Sequence, residues 1–236
     1  MQEKRDIKEM IAGHTFSRFD IELAHLHELV LMIGAIVHQQ LKDALTAFTL
    51  EDVELARLVI SRDVDIDRLE VEADEAIIDL IARRSPLGSD LRVVITVSKS
   101  VSDLEKIGDE IVRIVSLIEH EIPAKSVRLS EPVKEEIAHI GHMALSSLRS
   151  AVKLFDVWDE QEAYRVIESH REMDSEFQSE LRRVMTYITE QSINVGTAVG
   201  LVLMAKSFSR ITHHAQNLAE YVLFEIKGVD VRSVQP

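Results

Sequence analysis

The sequence predicts an all-α protein built as two tandem elongated three-helix bundles. Glycine and proline are scarce, with 8 and 4 residues in a chain of 236, so few positions favour tight turns over long helices. Hydrophobic residues make up 46% of the chain, and they recur at helical spacing in long segments. The pattern also occurs twice along the chain. Together these features predict a duplicated helical fold.

The second half of the chain repeats the first half without a gap. A shift of 107 residues brings Leu41 onto Leu148 (148 − 41 = 107), and the same shift brings Lys99 onto Lys206. Coincidence would rarely keep one register over roughly 80 residues. The repeat therefore indicates a duplicated unit, and each copy has room for three helical segments.

Apolar residues at helical spacing in the first copy predict helices over 19–49, 52–84 and 90–121. Asp52 is suited to cap the start of the second helix. Pro86 cannot continue a helix, so it separates the second helix from the third.

The second copy predicts helices over 128–157, 159–192 and 197–227. Asp159 is suited to cap a helix start, and Gly228 follows the last helix. Three antiparallel helices in each copy form a bundle. The domain limits that follow are an N-terminal tail 1–18, a first bundle 19–122, a linker 123–127, a second bundle 128–228 and a C-terminal tail 229–236.

Charge and composition exclude several classes of protein. Acidic residues number 41 against 27 basic ones, and the net charge of −14 opposes binding to nucleic acid or to anionic lipid. The absence of cysteine excludes thiolate zinc sites and cysteine nucleophiles. The longest apolar runs, 29–37 and 195–205, are shorter than the roughly 20 residues that cross a bilayer. These features predict a cytoplasmic protein that does not insert into the membrane.

Acidic residues interrupt the apolar face of the second predicted helix, in the stretch that begins "RDVDIDRLEVEAD". Carboxylates held close together repel each other and lose hydration, so they need cations, bound protons or ordered water. The third predicted helix adds two acids one turn apart. The candidate metal ligands on the two helices are Asp63, Asp67, Glu70, Glu105 and Asp109.

Two explanations of this acidic stripe remain open. A set of five or six oxygen donors suits hard or borderline cations, among them magnesium, calcium, manganese, iron and zinc. Alternatively, the acids are hydrated or form salt bridges. The basic residues available for such salt bridges are Arg62, Arg68, Lys99 and Lys106.

The segments "RRSPLGSDLRVV" and "SKSVSDLEKIGDEI" follow one another in the first copy. They are similar to a signature close to R-x-P-x-x-x-D-L-R followed by D-L-E-R-I-G-D, with Lys106 where arginine is usual. The matching residues are Arg84, Pro86, Asp90, Leu91, Arg92, Asp103, Leu104, Glu105, Ile107, Gly108 and Asp109. The chain therefore resembles the PhoU family of phosphate-uptake regulators, and the likeness extends over 19–228.

This resemblance implies a fold, a site and a function. PhoU-like proteins consist of two three-helix bundles with metal clusters on ExxxD-type motifs, and the resemblance assigns that role to Asp63, Asp67, Glu105 and Asp109, with Glu70 nearby. It implies negative regulation of phosphate uptake and of the phosphate regulon. The implied partners are a sensor histidine kinase, the ATPase subunit of the phosphate ABC importer, and a second copy of the chain in a homodimer.

The second copy departs from the acidic pattern. Thr212 and Gln216 stand in the places of Glu105 and Asp109, and only Asp174 remains of the expected acids. The neighbouring histidines are His170, His213 and His214. Imidazole suits softer metals such as zinc, nickel or copper, and the alternative is a set of helix histidines on a decayed site.

Catalysis is the other class of function to consider. Glu22 with His25, and Glu136 with His139, have the ExxH spacing of di-iron carboxylate bundles. A metal-dependent hydrolase or a di-iron-type oxidase on the acidic stripe is therefore the alternative hypothesis. No nucleophile elbow, Walker loop or glycine-rich dinucleotide loop is present, so the sequence favours a non-enzymatic adaptor.

Overall fold

The computed structural model describes residues 17–121, 129–190 and 195–229, and it contains helices and no strand within these ranges. The all-α prediction is confirmed. The predicted linker 123–127 lies outside the described residues, so the domain limits stay predictions. The helices are α1 Ser17–Leu50, α2 Val53–Ser61, α3 Asp63–Arg84, α4 Ser89–Glu121, α5 Glu131–Val157, α6 Glu160–Glu190 and α7 Val195–Lys227.

The duplicated unit is visible where the first helix of each copy ends. Glu51 and Trp158, which the 107-residue shift relates, both have positive φ, 53° and 46°. The next residue caps the following helix in both copies. Asp52 accepts a hydrogen bond from the backbone N–H of Leu55 at 3.0 Å, and Asp159 accepts one from the backbone N–H of Gln161 at 2.8 Å. Both predicted caps are therefore present.

The predicted continuous helix over 52–84 is wrong in one respect, because it breaks at Arg62. This residue has φ −85° and ψ −8°, and its backbone N–H bonds to the carbonyl of Val59, three residues back. Such a tightened turn ends an α-helix. The Arg62 side chain donates to Asp43 of α1 at 2.7 Å. The break makes Asp63 the first residue of a new helix.

The two copies pack on each other around an approximate two-fold axis. Gly34 of α1 lies against Val152 of α5, where an added Cβ would be 2.8 Å from a Val152 methyl. The repeat-equivalent contact places Gly141 of α5 against Leu45 of α1, and there an added Cβ would be closer still. Glycine at both crossings lets the two helix backbones approach closely.

The same symmetry relates α4 to α7. Asp103 accepts a hydrogen bond from Asn217 at 3.0 Å, and Glu110 accepts one from Arg210 at 2.9 Å. The 107-residue shift converts one pair into the other. α2 and α3 pack on α1 and α4, while α6 packs on α5 and α7. One continuous hydrophobic core runs through both copies.

The stretch Phe19–Leu50 of α1 is long and apolar enough to cross a membrane by length and composition, and it is the one such stretch in the described part of the chain. Its side chains Leu23, Leu29 and Ile33 are at most 1% exposed. Burial against α4 and α5 accounts for this hydropathy, because the central helix of a globular core meets the same criterion.

The close crossing at Gly141 predicts a large effect of adding one methyl group. Gly141→Ala should lower the free energy of unfolding by about 1–3 kcal/mol, because an overpacked core must shift. Urea unfolding would measure this, with Lys153→Ala on the exposed side of α5 as the control. If Gly141→Ala is as stable as the parent chain, the two helices are not in close contact.

Candidate metal centre

Two helices that pack against each other carry the five predicted ligands. Asp63, Asp67 and Glu70 lie in the first turns of α3, and Glu105 and Asp109 lie in the middle of α4. The structure therefore brings together the two groups of acids that the sequence placed on neighbouring helices.

Gly108 is the point where α3 comes closest to α4 beside these acids. A Cβ on Gly108 would lie 3.2 Å from Oδ1 of Asp63 and 3.1 Å from Cδ1 of Ile66. These distances are tight for a real side chain. The glycine in the "DLEKIGD" motif thus makes room for the Asp63 carboxylate beside α4.

The Asp63 carboxyl group lies in an unfavourable environment for a negative charge. Burial raises the pKa of Asp63, and the neighbouring charges of Asp67 and Asp109 raise this pKa further. Both effects favour the protonated form. A cation beside Asp63 would reverse them.

Glu70 and Glu105 are affected in the same way. Burial raises the pKa of both carboxyl groups, followed by the charge of Asp74 for Glu70 and the charge of Asp109 for Glu105. Lys106 acts in the opposite direction on both, but burial and repulsion outweigh it. Carboxylates from α3 and α4 therefore share one electrostatic field in which negative charge is in excess.

The arginines that offered a salt-bridge explanation have other partners. Arg62 pairs with Asp43 at 2.7 Å, and Arg68 pairs with Asp65 at 3.4 Å. Neither Asp43 nor Asp65 belongs to the five candidate ligands. These two guanidinium groups therefore do not neutralise the acidic stripe.

The two lysines do little more for the stripe. Lys106 pairs with Asp103 at 3.5 Å, and Lys99 lies over aromatic rings of α7. The ion pair formed by Asp109 is with Arg113, at 3.8 Å and half exposed, where such pairs contribute about 0–1 kcal/mol. The acids thus keep most of their charge uncompensated.

The donor set fits a hard cation, because every candidate ligand offers carboxylate oxygen. The five acids do not converge as closely as a filled site requires. In the described part of the chain, the one group of three His, Asp or Glu residues with ligand atoms within 4.8 Å of one another is His139, Glu176 and Glu180. Repulsion between like charges keeps the acids of α3 and α4 apart, and a bound cation would remove that repulsion.

The corresponding place in the second copy uses its polar groups differently. The Thr212 hydroxyl donates to the carbonyl of Ser209 at 2.7 Å, and the Gln216 amide donates to the Glu220 carboxylate at 2.8 Å. The side chain of Asp174 lies outside the described residues. Thr212 and Gln216 therefore do not form the oxygen cluster found in the first copy.

The three histidines of the second copy lie near one another in a row. The ring centres of His170 and His213 are 6.2 Å apart, and those of His213 and His214 are 6.1 Å apart. Nδ1 of His214 lies 3.1 Å from Oδ1 of Asp103. One of the three imidazoles is thus engaged with the first copy, and a softer metal at this place stays a prediction.

Asp103 is an important residue that the sequence analysis did not single out. Its carboxylate is 4% exposed, and Oδ2 accepts hydrogen bonds from Asn217 and from the Tyr221 hydroxyl, both at 3.0 Å. Burial acts to raise the pKa of Asp103, but hydrogen bonds from His214, Asn217 and Tyr221 lower it overall. A signal was available, because Asp103 opens the D-L-E-K-I-G-D motif directly beside buried Leu104.

The first ExxH pair is engaged in an ion pair. Glu22 accepts two hydrogen bonds from the guanidinium of Arg84, at 2.8 and 2.9 Å. This contact also accounts for the first arginine of the "RRSP" segment. The pair of Glu22 and His25 therefore does not present a free inward carboxylate for a di-iron centre.

The second ExxH pair joins a polar cluster between α5 and α6. Nε2 of His139 lies 3.4 Å from Glu176 and 3.9 Å from Glu180. Arg183 contacts both oxygens of Glu180 and lies 3.2 Å from Glu136. A resident guanidinium already neutralises the buried Glu180 carboxylate, so this cluster is satisfied without a metal ion.

A duplicated three-helix unit, with an uncompensated acidic centre between the second and third helices of its first copy, defines the class of metal-binding helical-bundle proteins. The chain belongs to the PhoU family. The family model, described as the PhoU domain, matches residues 30–118 and 137–222. The two matches begin 107 residues apart (137 − 30), which is the shift found in the sequence.

Curated relatives cover most of the chain. The phosphate-specific transport system accessory protein PhoU of Edwardsiella tarda is 32% identical over 221 residues, which is 94% of this chain and 89% of the relative. A homologue of that protein from Pseudomonas putida is 33% identical over 230 residues, which is 95% of this chain and 87% of the relative.

Two solved structures share the fold. A crystal structure of PhoU from Pseudomonas aeruginosa has a TM-score of 0.83 and 31% identity, and the match covers 89% of this chain and 100% of that chain. A phosphate transport system regulatory protein PhoU from Streptococcus pneumoniae has a TM-score of 0.80 and 24% identity, covering 90% and 98%. The second likeness shows the fold alone.

The raised pKa of Asp63 predicts how the metal-free protein responds to pH. A carboxyl group whose pKa is raised by folding destabilises the folded state when it is ionised, and the loss disappears as the pH falls through the folded-state pKa. In chelator at pH 7, Asp63→Asn should therefore raise Tm by about 2 °C, as expected for a change below 1 kcal/mol. The gain should vanish near pH 4.

Asp65→Asn is the control, because Asp65 is half exposed and already paired with Arg68. It should leave Tm unchanged or lower it slightly. Equal thermal shifts for the two variants would show that Asp63 carries no special repulsion.

Proposed function

We propose that the chain is a negative regulator of phosphate uptake and of the phosphate regulon. The observation that carries the proposal is the duplicated family match, together with relatives that are named accessory proteins of the phosphate-specific transport system. In this proposal the chain is a cytoplasmic adaptor between a sensor histidine kinase and the ATPase subunit of the phosphate importer. It acts as a homodimer and catalyses no reaction.

A metal ion at the acidic centre is part of the proposal. The residues that would hold it are Asp63, Asp67, Glu70, Glu105 and Asp109. A divalent or trivalent ion such as magnesium, calcium, manganese, iron or zinc would offset their mutual repulsion and hold α3 against α4. The raised pKa values of Asp63, Glu70 and Glu105 support this, because burial and like charge favour a compensating cation.

The long helices also support an adaptor role. Six of the described helices have 22 or more residues, and they pack around one continuous core. A rigid body of this kind presents long helix faces to which partner proteins bind. Large apolar side chains such as Ile78 and Val195 are 66% and 79% exposed on these faces.

Metal analysis tests the acidic centre directly. The double variant Asp67→Asn, Asp109→Asn should bind manganese or iron at least tenfold more weakly than the parent chain, because one ligand is lost from each helix. The double variant Asp65→Asn, Asp79→Asn is the control, since both residues are exposed and paired with arginine. Elemental analysis after reconstitution, and titration calorimetry, would measure the difference. Unchanged metal content would remove the site.

The regulatory role is tested in cells that lack the gene for this chain. The parent chain should restore repression of a phosphate-regulon reporter and restrain phosphate uptake in phosphate-rich medium. It should also capture the sensor kinase and the importer ATPase from lysates of those cells. Capture of neither protein, or phosphatase or oxidase turnover that Glu105→Ala and Asp109→Ala abolish, would contradict the adaptor role.

A further inference from the structure

The interface between α4 and α7 has two halves that the internal repeat relates. In one half, the start of α4 packs against the end of α7. There Nζ of Lys99 lies 5.5 Å from the ring centre of Tyr221 and 5.8 Å from that of Phe224. Leu223 beside them is completely buried. This part, called the filled half, leaves no open space between the two helices.

The other half, called the open half, packs the end of α4 against the start of α7 with smaller side chains. Leu117 stands at the position equivalent to Phe224, and Ser116 stands at the position equivalent to Leu223. Lys206 is the counterpart of the ring-covered lysine. A groove of about 450 Å³ lies between Leu117 and Lys206. The loss of one ring and one leucine accounts for the space.

The groove continues along α7 toward its first residue. A second stretch of about 470 Å³ shares Leu203 with the first and runs to Val195. Val195, Val199 and Leu203 are 79%, 51% and 48% exposed, and their spacing of four residues puts them on one ridge of the helix. An exposed, continuous apolar ridge of this kind marks an interaction surface.

Basic residues continue the same ridge. Lys206 and Arg210 follow at helical spacing, and Arg113 stands on the opposite wall. The buried Glu110 pairs with both arginines. Lys206 has no ring, ion pair or side-chain hydrogen bond among the residues that the structure describes. In a chain of net charge −14, this wall of the groove is a local excess of positive charge.

We propose that the groove of the open half binds an amphipathic helix of the importer's ATPase subunit. The helix would lay an apolar stripe along Val195, Val199 and Leu203 and bring carboxylates to Lys206 and Arg210. The inference rests on the proposed function and names the surface through which one partner is held. From Val195 to Arg210 the groove is about 22 Å long, enough for four turns of helix.

The filled half indicates the chemistry of the occupant. There the lysine is covered by aromatic rings and the space is closed by a leucine. An occupant of the open half that restores this packing brings an aromatic side chain under Lys206 and an apolar side chain beside Ser116. Charge complementarity favours acidic residues at the end of the helix nearest Arg210.

Two changes test the groove in opposite ways. The double variant Ser116→Leu, Leu117→Phe copies the filled half and closes the groove from inside. Lys206→Glu leaves the groove open and reverses the charge on its rim. Ile78→Ala is the control, because Ile78 is 66% exposed and is the first-copy counterpart of Met185 at the groove. Circular dichroism and Tm confirm that each variant is folded.

The measurement is binding of the purified ATPase subunit, and separately of the cytoplasmic part of the kinase, to the immobilised full chain. Both groove variants should bind the ATPase subunit at least tenfold more weakly, and the control should stay within twofold of the parent chain. Equal binding by all variants would overturn the inference and leave the proposed function intact. Failure of the parent chain to bind either protein would overturn the proposed function itself.

Two other results would assign the groove to a different occupant. If the groove variants lose only the kinase, the ATPase helix is the wrong partner. If they convert a dimer to a 26.7 kDa monomer in light scattering while ATPase binding persists, a second copy of the chain occupies the groove. Either result overturns the inference.

Discussion

The buried carboxylate of Asp103 constrains how the two copies of this chain fit together. It lies inside the α4–α7 interface and takes hydrogen bonds from Asn217 and Tyr221, with His214 at its other oxygen. A buried charge that loses such partners destabilises a protein by about 3–5 kcal/mol. Registers of α4 against α7 that part these groups are therefore strongly disfavoured.

That register also orients the acidic centre. Successive residues of a helix are about 100° apart, so Glu105 and Asp109 lie roughly 200° and 240° around α4 from Asp103. When Asp103 faces α7, the other two acids face away from it and toward α3. One helix thus holds the two copies together on one side and presents carboxylates to Asp63 on the other.

Duplication supplied one frame, and the two copies then diverged in chemistry. The first copy keeps Glu105 and Asp109 beside α3, where the second copy has Thr212 and Gln216. Conversely, the first-copy end of the α4–α7 interface is closed by aromatic rings of α7, whereas the opposite end is open beside Leu117. The acidic centre and the groove therefore lie in different parts of the same pseudo-symmetric body.

The sequence by itself determined the helices, their duplication and the five candidate ligands, because these depend on residue spacing within one segment. It also supplied the caps Asp52 and Asp159. It did not reveal the break at Arg62, which depends on a side-chain contact with α1, nor the role of Asp103, whose partners lie more than 100 positions away. Only the tertiary structure decided which basic residues are already paired and where the repeat leaves a groove, because both depend on contacts between distant segments.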